Sequence, residues 1–280
     1  MTDSPTAPEA GVISRTDAPH TRRSLADDLR RAGVRPGEVL IVHSSLSALG
    51  WVVGGEIAVV GALLDTLGPD GTLIVPAQSF GNSDPAQWSR PPVPEAWWPV
   101  IRANMPPYDP ATSPTRGMGR IVETVRVWPG AVRSAHPQAS FAGVGARAGE
   151  LLARHDLDSR FGARSPLPAI EAAGGRVLLL GVGFDSCTCL HLAETRIPGA
   201  PTEEQSCSVA TADGPAWVTF IDTVAHEGDF VELGTAFTTT GGVRRERVGA
   251  AEARIFGVAE IVAFATGWLA SHRGDAWASG

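Results

Sequence analysis

The stretch that decides how this chain folds is Arg176-Val-Leu-Leu-Leu-Gly-Val-Gly-Phe-Asp-Ser-Cys-Thr-Cys-Leu-His-Leu-Ala-Glu194. Its apolar run, Val177–Leu180, is typical of a central strand covered on both faces. Polar and titratable residues follow within a few positions. Because crevices at the carboxyl ends of such strands hold ligands, we expect the residues after Leu180 to lie at a functional site.

His191 and Glu194 stand three residues apart in this stretch. If a helix follows the strand, both side chains lie on one face, and the carboxylate can hold the imidazole in one tautomer. That arrangement is a supported general base. The spacing alone is equally typical of a core histidine beside a helix-face carboxylate, so it leaves both interpretations open.

Apolar periodicity and turn signals predict alternating helices and strands along the chain. Such alternation favours a three-layer α/β sandwich around a mostly parallel or mixed sheet. We predict helices at Thr21–Ala32, Glu56–Leu67, Gly119–Val127, Ala146–His155, Pro166–Ala173 and Ala250–Ser271, strands at Val39–Val42, Thr72–Val75 and Val177–Leu180, and short β-like pieces between Ser206 and Thr240.

No polar linker divides the chain, so residues 21–280 are predicted to form one domain, preceded by a flexible N-terminal arm at residues 1–20. Between Pro76 and Pro114 the periodicity disappears under prolines, tryptophans and glycines. A long irregular stretch inside a compact domain is usually functional, and we expect this one to form a wall of the substrate site.

The composition fits an enzyme of the cytoplasm. With 43% hydrophobic residues in 280, the chain can bury a substantial core, and its three cysteines do not form a disulfide framework. No apolar run approaches the ~20 residues that span a bilayer, so no membrane partner is expected. The net charge of −7 argues against nucleic acid and suits a cationic partner.

Four short motifs in register resemble the aminoglycoside 3-N-acetyltransferase family, from roughly Thr21 to Leu269. They are Gly181–Asp185 with Leu190–Glu194, His43–Ser47 with Gly54-Gly55, Tyr108–Pro110 with Met118-Gly119, and Arg133–Pro137 with Ser140-Phe141. Two positions depart from the pattern, since Cys189 stands where serine is expected and Tyr108 where phenylalanine is usual.

The resemblance implies transfer of the acetyl group of acetyl-coenzyme A to the 3-amino group of a 2-deoxystreptamine aminoglycoside antibiotic, which inactivates the drug. It makes His191 the general base and Glu194 the residue that orients it. Asp185 would share the orienting task or bind an ammonium of the acceptor. No metal is required by this chemistry, and the protein would act alone or as a homodimer.

Two patches are expected to bind the coenzyme. Small hydroxyl residues after the first strand let the backbone turn tightly and expose N–H groups to a phosphate or a thioester oxygen, although a serine-rich connection has the same pattern. An arginine fork suits phosphates, and serines add neutral hydrogen bonds. With the resemblance, the first patch is Ser44, Ser45, Leu46 and Ser47, and the second is Arg133, Ser134, Ser140 and Phe141.

An aminoglycoside acceptor is a polycation that needs carboxylates and aromatic surfaces. The resemblance points to Tyr108, Asp109 and Glu123 as acceptor contacts. Further candidates from the irregular stretch are Asp84, Trp97 and Trp98, the tryptophans being equally suited to packing under a lid.

Other classes of function remain open on the sequence. Cys187, Cys189 and His191 could bind zinc, although Cys-x-Cys is tighter than the usual spacing, and Cys187 with His191 could form a thioesterase nucleophile and base. Gly181 and Gly183 partly match a dinucleotide turn. A binding module without turnover is a further possibility. Within the family, the acceptor could instead be a biosynthetic amino-sugar or a phosphonate amine.

Overall fold

A seven-stranded mixed sheet forms the centre of the protein in the computed structural model, which describes residues 7–89 and 91–277. Its strands are β1 (Val39–Ser44), β2 (Thr72–Pro76), β3 (Val132–Arg133), β4 (Phe141–Gly145), β5 (Arg176–Leu180), β8 (Arg244–Val248) and β9 (Ala251–Gly257), in the order β3-β4-β2-β1-β5-β9-β8. Strand β1 is parallel to β2 and β5, and the remaining pairs are antiparallel. Strands β6 (Thr202–Thr211) and β7 (Gly214–Thr223) form a separate hairpin.

Helices cover both faces of this sheet. They are α1 (Ala7–Ile13), α2 (Arg22–Ala32), α3 (Gly55–Leu67), α4 (Trp98–Asn104), α5 (Arg120–Arg126), α6 (Ala148–Leu151), α7 (Pro166–Ala172), α8 (Cys189–Glu194), α9 (Phe230–Thr239) and α10 (Val258–Trp277). Side chains alternate along β1, so that Leu40 and Val42 pack with α2 and α3, while Val39 and Ile41 pack with α7 to α10. The predicted three-layer α/β arrangement is confirmed.

The predicted helix at Thr21–Ala32 shows why most of the elements early in the chain could be predicted from the sequence. Thr21 is the N-cap of α2 and its hydroxyl accepts from the backbone N–H of Ser24 at 3.1 Å. Gly33 ends the helix in the left-handed conformation, with φ 93°. Local signals of this kind need no tertiary context.

The predicted helix at Ala250–Ser271 is wrong in its first part. Ala251–Gly257 is strand β9, in which Ala251, Ala253 and Ile255 are buried while Glu252 and Arg254 are partly exposed. That two-residue period is the mark of a strand, and helix α10 begins only at Val258. Of the predicted helix at Ala146–His155, only the part that forms α6 is helical. The end of the predicted β-like region between Ser206 and Thr240 is helix α9.

The predicted arm at residues 1–20 contains regular structure in its described part. Residues 7–13 form α1, the Thr16 hydroxyl accepts from the backbone N–H of Trp51 at 2.9 Å, and His20 forms a parallel bridge with Val52. This segment therefore packs beside the loop that follows β1. Residues 1–6 lie outside the described residues.

None of the described helices has the length and apolar character needed to cross a membrane.

Candidate active site

Two clefts open at the edge of the sheet where the parallel strands β1 and β5 end. Ser44 and Leu180, the last residues of the two strands, are register partners. The first cleft, here named the serine cleft, has a volume of about 510 Å³ and is lined by Ser44–Ser47, Trp51, Gly55 and Gly117–Ile121. The second, the histidine cleft, has about 560 Å³ and is lined by residues including His43, Phe161, Asp185, His191 and Glu203.

The two clefts share Ser44, Gly117 and Met118. Each has the size of a typical small-molecule site. A ligand in one cleft can therefore reach a ligand in the other at Ser44.

His191 and Glu194 lie on α8, on the helix face that the sequence predicted. Nδ1 of His191 and Oε2 of Glu194 are 2.6 Å apart. Since a carboxylate only accepts, Nδ1 carries the proton and Nε2 is left as the acceptor in the neutral ring. Among the described residues, Nε2 of His191 has no hydrogen-bond partner, and the ring lines the histidine cleft.

Glu194 is 1% exposed and is held from several directions. Its Oε1 accepts from Nη1 of Arg273 at 2.5 Å and from the backbone N–H of His226 at 3.2 Å. Arg273, on α10, also pairs with Asp229 and donates to the carbonyl of His226 at 2.7 Å. The buried carboxylate is thus kept in one orientation by groups far away in sequence.

Two phenylalanines enclose the imidazole of His191. The ring of Phe161 stacks on it with centroids 4.7 Å apart, and the ring of Phe230 packs at 5.0 Å in a tilted arrangement. Ring contacts on both sides restrict the orientation of the imidazole and exclude water from it.

A second histidine, His43, is the fifth residue of β1 and lines the same cleft. It is 6% exposed, and its Nε2 has no hydrogen-bond partner among the described residues. Burial, reinforced by the charge of His191, lowers the pKa of His43 to about 3, so its ring is neutral.

Carboxylates give the mouth of the histidine cleft its charge. Asp185 and Glu227 are exposed and have no ion-pair partner among the described residues. Glu203 and the buried Asp222 instead pair with Arg160, at 2.9 and 3.1 Å, which ties the β6–β7 hairpin to the cleft. Two carboxylates are therefore available to a cationic ligand.

The first predicted coenzyme patch, Ser44–Ser47, lies together in the serine cleft. The Ser44 hydroxyl is buried without a partner among the described residues, and the hydroxyls of Ser45 and Ser47 are 3.2 Å apart. The backbone N–H of Ser45 donates to the carbonyl of Leu180 at 3.0 Å, so it does not belong to the expected backbone oxyanion hole.

The residues of the second predicted coenzyme patch are hydrogen-bonded within the protein and line neither cleft. Arg133 donates to the carbonyls of Ala77 at 2.6 Å and Ser113 at 2.5 Å and to the hydroxyl of Ser140 at 3.0 Å. Ser134, Ser140 and Phe141 are at most 1% exposed and lie in the interior. The arginine fork therefore binds backbone carbonyls in this structure.

Two of the predicted acceptor contacts, Tyr108 and Asp109, are hydrogen-bonded to the backbone around them. The Tyr108 hydroxyl donates to the carbonyl of Ser134 at 2.8 Å, and burial raises its pKa. Asp109 accepts from the backbone N–H groups of Ala111 and Thr112 at 2.8 and 2.9 Å, which lowers its pKa. It lines neither cleft. Both residues therefore fix the loop that carries them.

Glu123 lies in a neighbouring depression that shares Gly117 and Met118 with the clefts. Its carboxylate pairs with Arg126 at 2.9 Å and accepts from the backbone N–H of Thr115 at 2.6 Å. Burial alone would raise its pKa, but these hydrogen bonds outweigh it and the pKa is lowered. The carboxylate is thus held by the protein itself.

The weaker candidates of the irregular stretch do not line either cleft. Asp84 pairs with Arg102 at 2.7 Å, Arg102 lies over the ring of Trp98, and Trp97 is 57% exposed. From the beginning of the irregular stretch, Pro76, Gln78 and Phe80 line the histidine cleft.

The surroundings of Cys187, Cys189 and Gly181 bear on the alternative interpretations, which are a zinc site, a cysteine nucleophile and a dinucleotide turn. Cys187 and Cys189 are 1% and 0% exposed, and their mutual hydrogen bond, with burial, raises the pKa of Cys189. Within residues 7–89 and 91–277, no cluster of three or more possible metal ligands occurs. A Cβ on Gly181 would lie 2.4 Å from the Cβ of Ala48, so this glycine is needed for close packing of the loop after β1.

Several residues of the site were missed by the sequence analysis: His43, Arg160, Phe161, Glu203, Glu227, Phe230 and Arg273. They come from five separate segments. Only His43 carried a signal, because it directly precedes the serine motif at the end of a buried strand.

Comparison with known proteins agrees with this geometry. A family model described as aminoglycoside 3-N-acetyltransferase matches residues 41–270. The chain is 40% identical over 259 residues to the SPbeta prophage-derived aminoglycoside N(3')-acetyltransferase-like protein YokD of Bacillus subtilis, covering 92% of this chain and 95% of that one. The crystal structure of YokD gives a TM-score of 0.92 at 39% identity, over 95% of this chain and 98% of that chain.

Two further similarities are informative. The aminoglycoside N(3)-acetyltransferase VIII of Streptomyces fradiae is 39% identical over 287 residues, covering 96% of this chain and 98% of that one. A solved structure of AAC-IIIb as a binary complex with CoASH has a TM-score of 0.81 at 34% identity, over 91% of this chain and 98% of that chain. The fold is that of the acetyltransferases to which the chain is similar.

The chain belongs to the aminoglycoside 3-N-acetyltransferase family. The enzymes of this family acetylate aminoglycosides with acetyl-coenzyme A, so the class of activity expected from the sequence is confirmed.

Proposed function

We propose that His191 is the general base of this acetyl transfer, acting on the 3-amino group of an aminoglycoside bound in the histidine cleft. The observation that carries the proposal is the 2.6 Å contact between Nδ1 of His191 and the buried Glu194, which leaves Nε2 as the acceptor edge in a cleft joined to a second cleft. Glu194 then stabilises the imidazolium that forms.

The serine cleft is the proposed site of the coenzyme. Among the described residues the buried Ser44 hydroxyl has no partner, and a ligand group at this junction would satisfy it. Arg120, whose side chain is 74% exposed and pairs with Glu56 at 2.8 Å, lines the same cleft, and its remaining N–H groups can donate to the phosphates. When bound, acetyl-coenzyme A supplies a thioester carbonyl as the electrophile.

The proposed reaction is direct. The amine nitrogen forms a bond to the acetyl carbon as its proton passes to Nε2 of His191. The carbon–sulfur bond then breaks, and the proton returns from the imidazolium to the departing thiolate. Because Cys187 and Cys189 are buried, we assign them no covalent step.

The acidic mouth of the histidine cleft supports a polycationic acceptor. Asp185 and Glu227 are exposed carboxylates that lack ion-pair partners among the described residues. We propose that they bind ammonium groups other than the one that reacts. Asp185 is therefore assigned to acceptor binding and Glu194 alone to the orientation of His191.

The test is His191→Ala with His272→Ala as the matched control, since His272 is exposed on α10 and lies outside both clefts. His191→Ala should lower kcat by about 10² to 10⁴ while calorimetry shows coenzyme affinity unchanged. His272→Ala should behave as wild type. If His191→Ala kept turnover within about threefold of wild type, the residue would have no place in the mechanism.

A panel of acceptors tests the substrate. Release of free coenzyme A thiol is followed with 2-deoxystreptamine aminoglycosides, with amino-sugars that carry a single amine, and with an aminophosphonate. The proposal predicts the highest kcat/KM for the polycationic drugs. Efficient turnover of the aminophosphonate or of a single-amine sugar alone would assign the protein to a biosynthetic amine instead.

A further inference from the structure

His43 is the second histidine of the histidine cleft, and its surroundings leave it unused by the fold. Its side chain is 6% exposed, and no described residue hydrogen-bonds its Nε2. A buried polar atom without a partner destabilises the fold, so such an atom in a native cleft calls for an explanation. A ligand that completes the hydrogen bond supplies one.

The position of His43 limits which ligand atom that is. It immediately precedes Ser44, the residue at which the serine and histidine clefts meet. Strand alternation places its side chain on the same face of β1 as Ile41, which packs with the α8 layer that carries His191. The group bound between the coenzyme site and the general base is the acetyl carbonyl.

The charge state of His43 fits a donor role and excludes a base role. Burial and the neighbouring His191 lower its pKa to about 3, so the imidazole is neutral across the physiological range and binds a proton too weakly to deprotonate an amine. A neutral imidazole can still donate from one ring nitrogen, and such a donor polarises a carbonyl without bringing a charge that would repel the acceptor's ammonium groups.

Two groups next to His43 in the sequence are poorly placed to donate to this oxygen. The backbone N–H of Ser45 is already bonded to the carbonyl of Leu180 at 3.0 Å. Ser44 follows His43 in the strand and its side chain points to the opposite face. On the His191 side of β1, His43 offers a ring N–H to negative charge that develops on the carbonyl oxygen during attack.

We propose that His43, through Nε2–H, donates a hydrogen bond to the carbonyl oxygen of the acetyl thioester and stabilises the oxyanion of the tetrahedral intermediate. The inference rests on the proposed function, since it places the coenzyme's acetyl group between Ser44 and His191. His43 is then a catalytic residue with a task separate from that of His191.

The test compares His43→Leu, which fills the space without a donor, with His43→Gln, which keeps an amide N–H near the Nε2 position. Loss of one oxyanion donor lowers kcat by about 10² to 10³. We expect that loss in His43→Leu, partial recovery in His43→Gln, an unchanged KM for the acceptor, and an acid limb of the kcat/KM profile that keeps its position. The thermal midpoint of His43→Leu should equal or exceed that of wild type, because a partnerless buried nitrogen is removed.

A spectroscopic readout separates this inference from the proposed function. Acetyl-coenzyme A labelled with ¹³C at the acetyl carbonyl is bound without acceptor, and its carbonyl stretch is compared with that of the free thioester. A downward shift in wild type and in His43→Gln that is absent from His43→Leu supports the donor. Each of three results for His43→Leu would overturn the inference. They are a carbonyl shift that persists, a kcat within about tenfold of wild type, and a raised acceptor KM with unchanged kcat. If His191→Ala loses activity while His43→Leu does not, the proposal that His191 is the general base is supported and only the role of His43 is overturned.

Discussion

Glu194 accepts from His191 on one carboxylate oxygen and from Arg273 on the other, at 2.6 and 2.5 Å. The two donors belong to helices α8 and α10, and Glu194 and Arg273 are 79 residues apart in the sequence. Because both oxygens are occupied, the carboxylate has little freedom to rotate away from the imidazole. Helix α10 is thereby connected to His191, the proposed general base.

Arg273→Lys should lower kcat without changing coenzyme affinity. A lysine keeps the charge but cannot contact Glu194, Asp229 and the carbonyl of His226 with one rigid fork, so Glu194 loses part of its support. Steady-state kinetics and calorimetry measure the two effects.

Arg273→Met removes the charge and should also destabilise the fold by on the order of 3 to 5 kcal/mol, because it leaves a buried carboxylate without its partner. Arg31→Met is the matched control, since Arg31 is 72% exposed in a surface ion pair. Full activity in Arg273→Lys, together with unchanged stability in Arg273→Met, would show that the contact is dispensable.

Arg133 and Arg120 separate scaffolding from coenzyme binding. Arg133→Met should lower the thermal midpoint, because it removes the guanidinium donor of the half-buried Ser113 carbonyl and leaves the Ala77 carbonyl with the Ser140 hydroxyl as its remaining side-chain donor. Its coenzyme affinity, measured on the folded fraction, should be unchanged.

Arg120→Met should do the reverse, with unchanged stability and a higher Kd for acetyl-coenzyme A that depends less on salt. If Arg133→Met alone weakened coenzyme binding, the internal role of the second patch would be contradicted.

Local sequence signals explain most of what could be predicted. The apolar run at Val177–Leu180, the Thr21 cap and the Gly33 stop each act within a few residues, and each gave an element close to the observed one. The contact between His191 and Glu194 was predictable for the same reason, because their three-residue spacing places both on one face of a helix. In β9, by contrast, an Ala-Glu-Ala-Arg pattern is compatible with both a helix and a strand, and only pairing with β5 and β8 determines that it is a strand.

The missed part of the site depends on contacts that no local pattern encodes. Arg273 and Phe230 reach Glu194 and His191 through helix packing, and neither stands in a motif. The contacts of Arg133 could not be predicted for a different reason. An arginine fork binds phosphates and backbone carbonyls with similar geometry, and burial, which the sequence does not display, determines which of them it meets.

Neither Cys187 nor Cys189 should carry an acetyl group during turnover. Both thiols are buried, and the pKa of Cys189 is raised, which disfavours the nucleophilic thiolate. Intact-protein mass spectrometry after mixing with acetyl-coenzyme A alone should find no adduct, and Cys187→Ala should keep most of the wild-type kcat. A stoichiometric acetyl adduct on either cysteine would replace direct transfer with a covalent pathway.

Three buried histidines make the stability of the fold dependent on pH. Burial lowers the pKa values of His43, His136 and His155 to about 3, 4 and 3, from 6.5. Between these values and 6.5 the unfolded chain binds more protons than the folded one, so stability falls as the pH falls below about 6.5.

The expected slope is on the order of 1 kcal/mol per pH unit for each histidine. Urea unfolding at pH 7.5, 6.5, 5.5 and 5.0 measures it, and His155→Gln should have a shallower slope because one of the three groups no longer titrates. A free energy of unfolding that stays constant from pH 7.5 to 5.0 would show that these rings take up protons in the folded state as readily as in the unfolded one.

Asp185 and Asp109 distinguish acceptor binding from loop structure. Asp185 is exposed in the histidine cleft and has no ion-pair partner among the described residues, whereas Asp109 accepts two backbone hydrogen bonds outside it. A carboxylate that faces an ammonium contributes on the order of 1 to 3 kcal/mol, and an isosteric amide keeps its shape while losing its charge. Asp185→Asn should therefore raise KM for aminoglycosides, by about 5- to 100-fold, and make KM less sensitive to salt.

Asp109→Asn should leave both quantities near their wild-type values, because an asparagine side-chain oxygen accepts the same two backbone hydrogen bonds. Coenzyme affinity should stay constant in both variants. Steady-state kinetics on kanamycin-like and gentamicin-like substrates at two salt concentrations measure these effects. If Asp109→Asn weakened acceptor binding and Asp185→Asn did not, the drug would bind against the Tyr108–Pro110 loop, and the histidine cleft would hold only the amine that reacts.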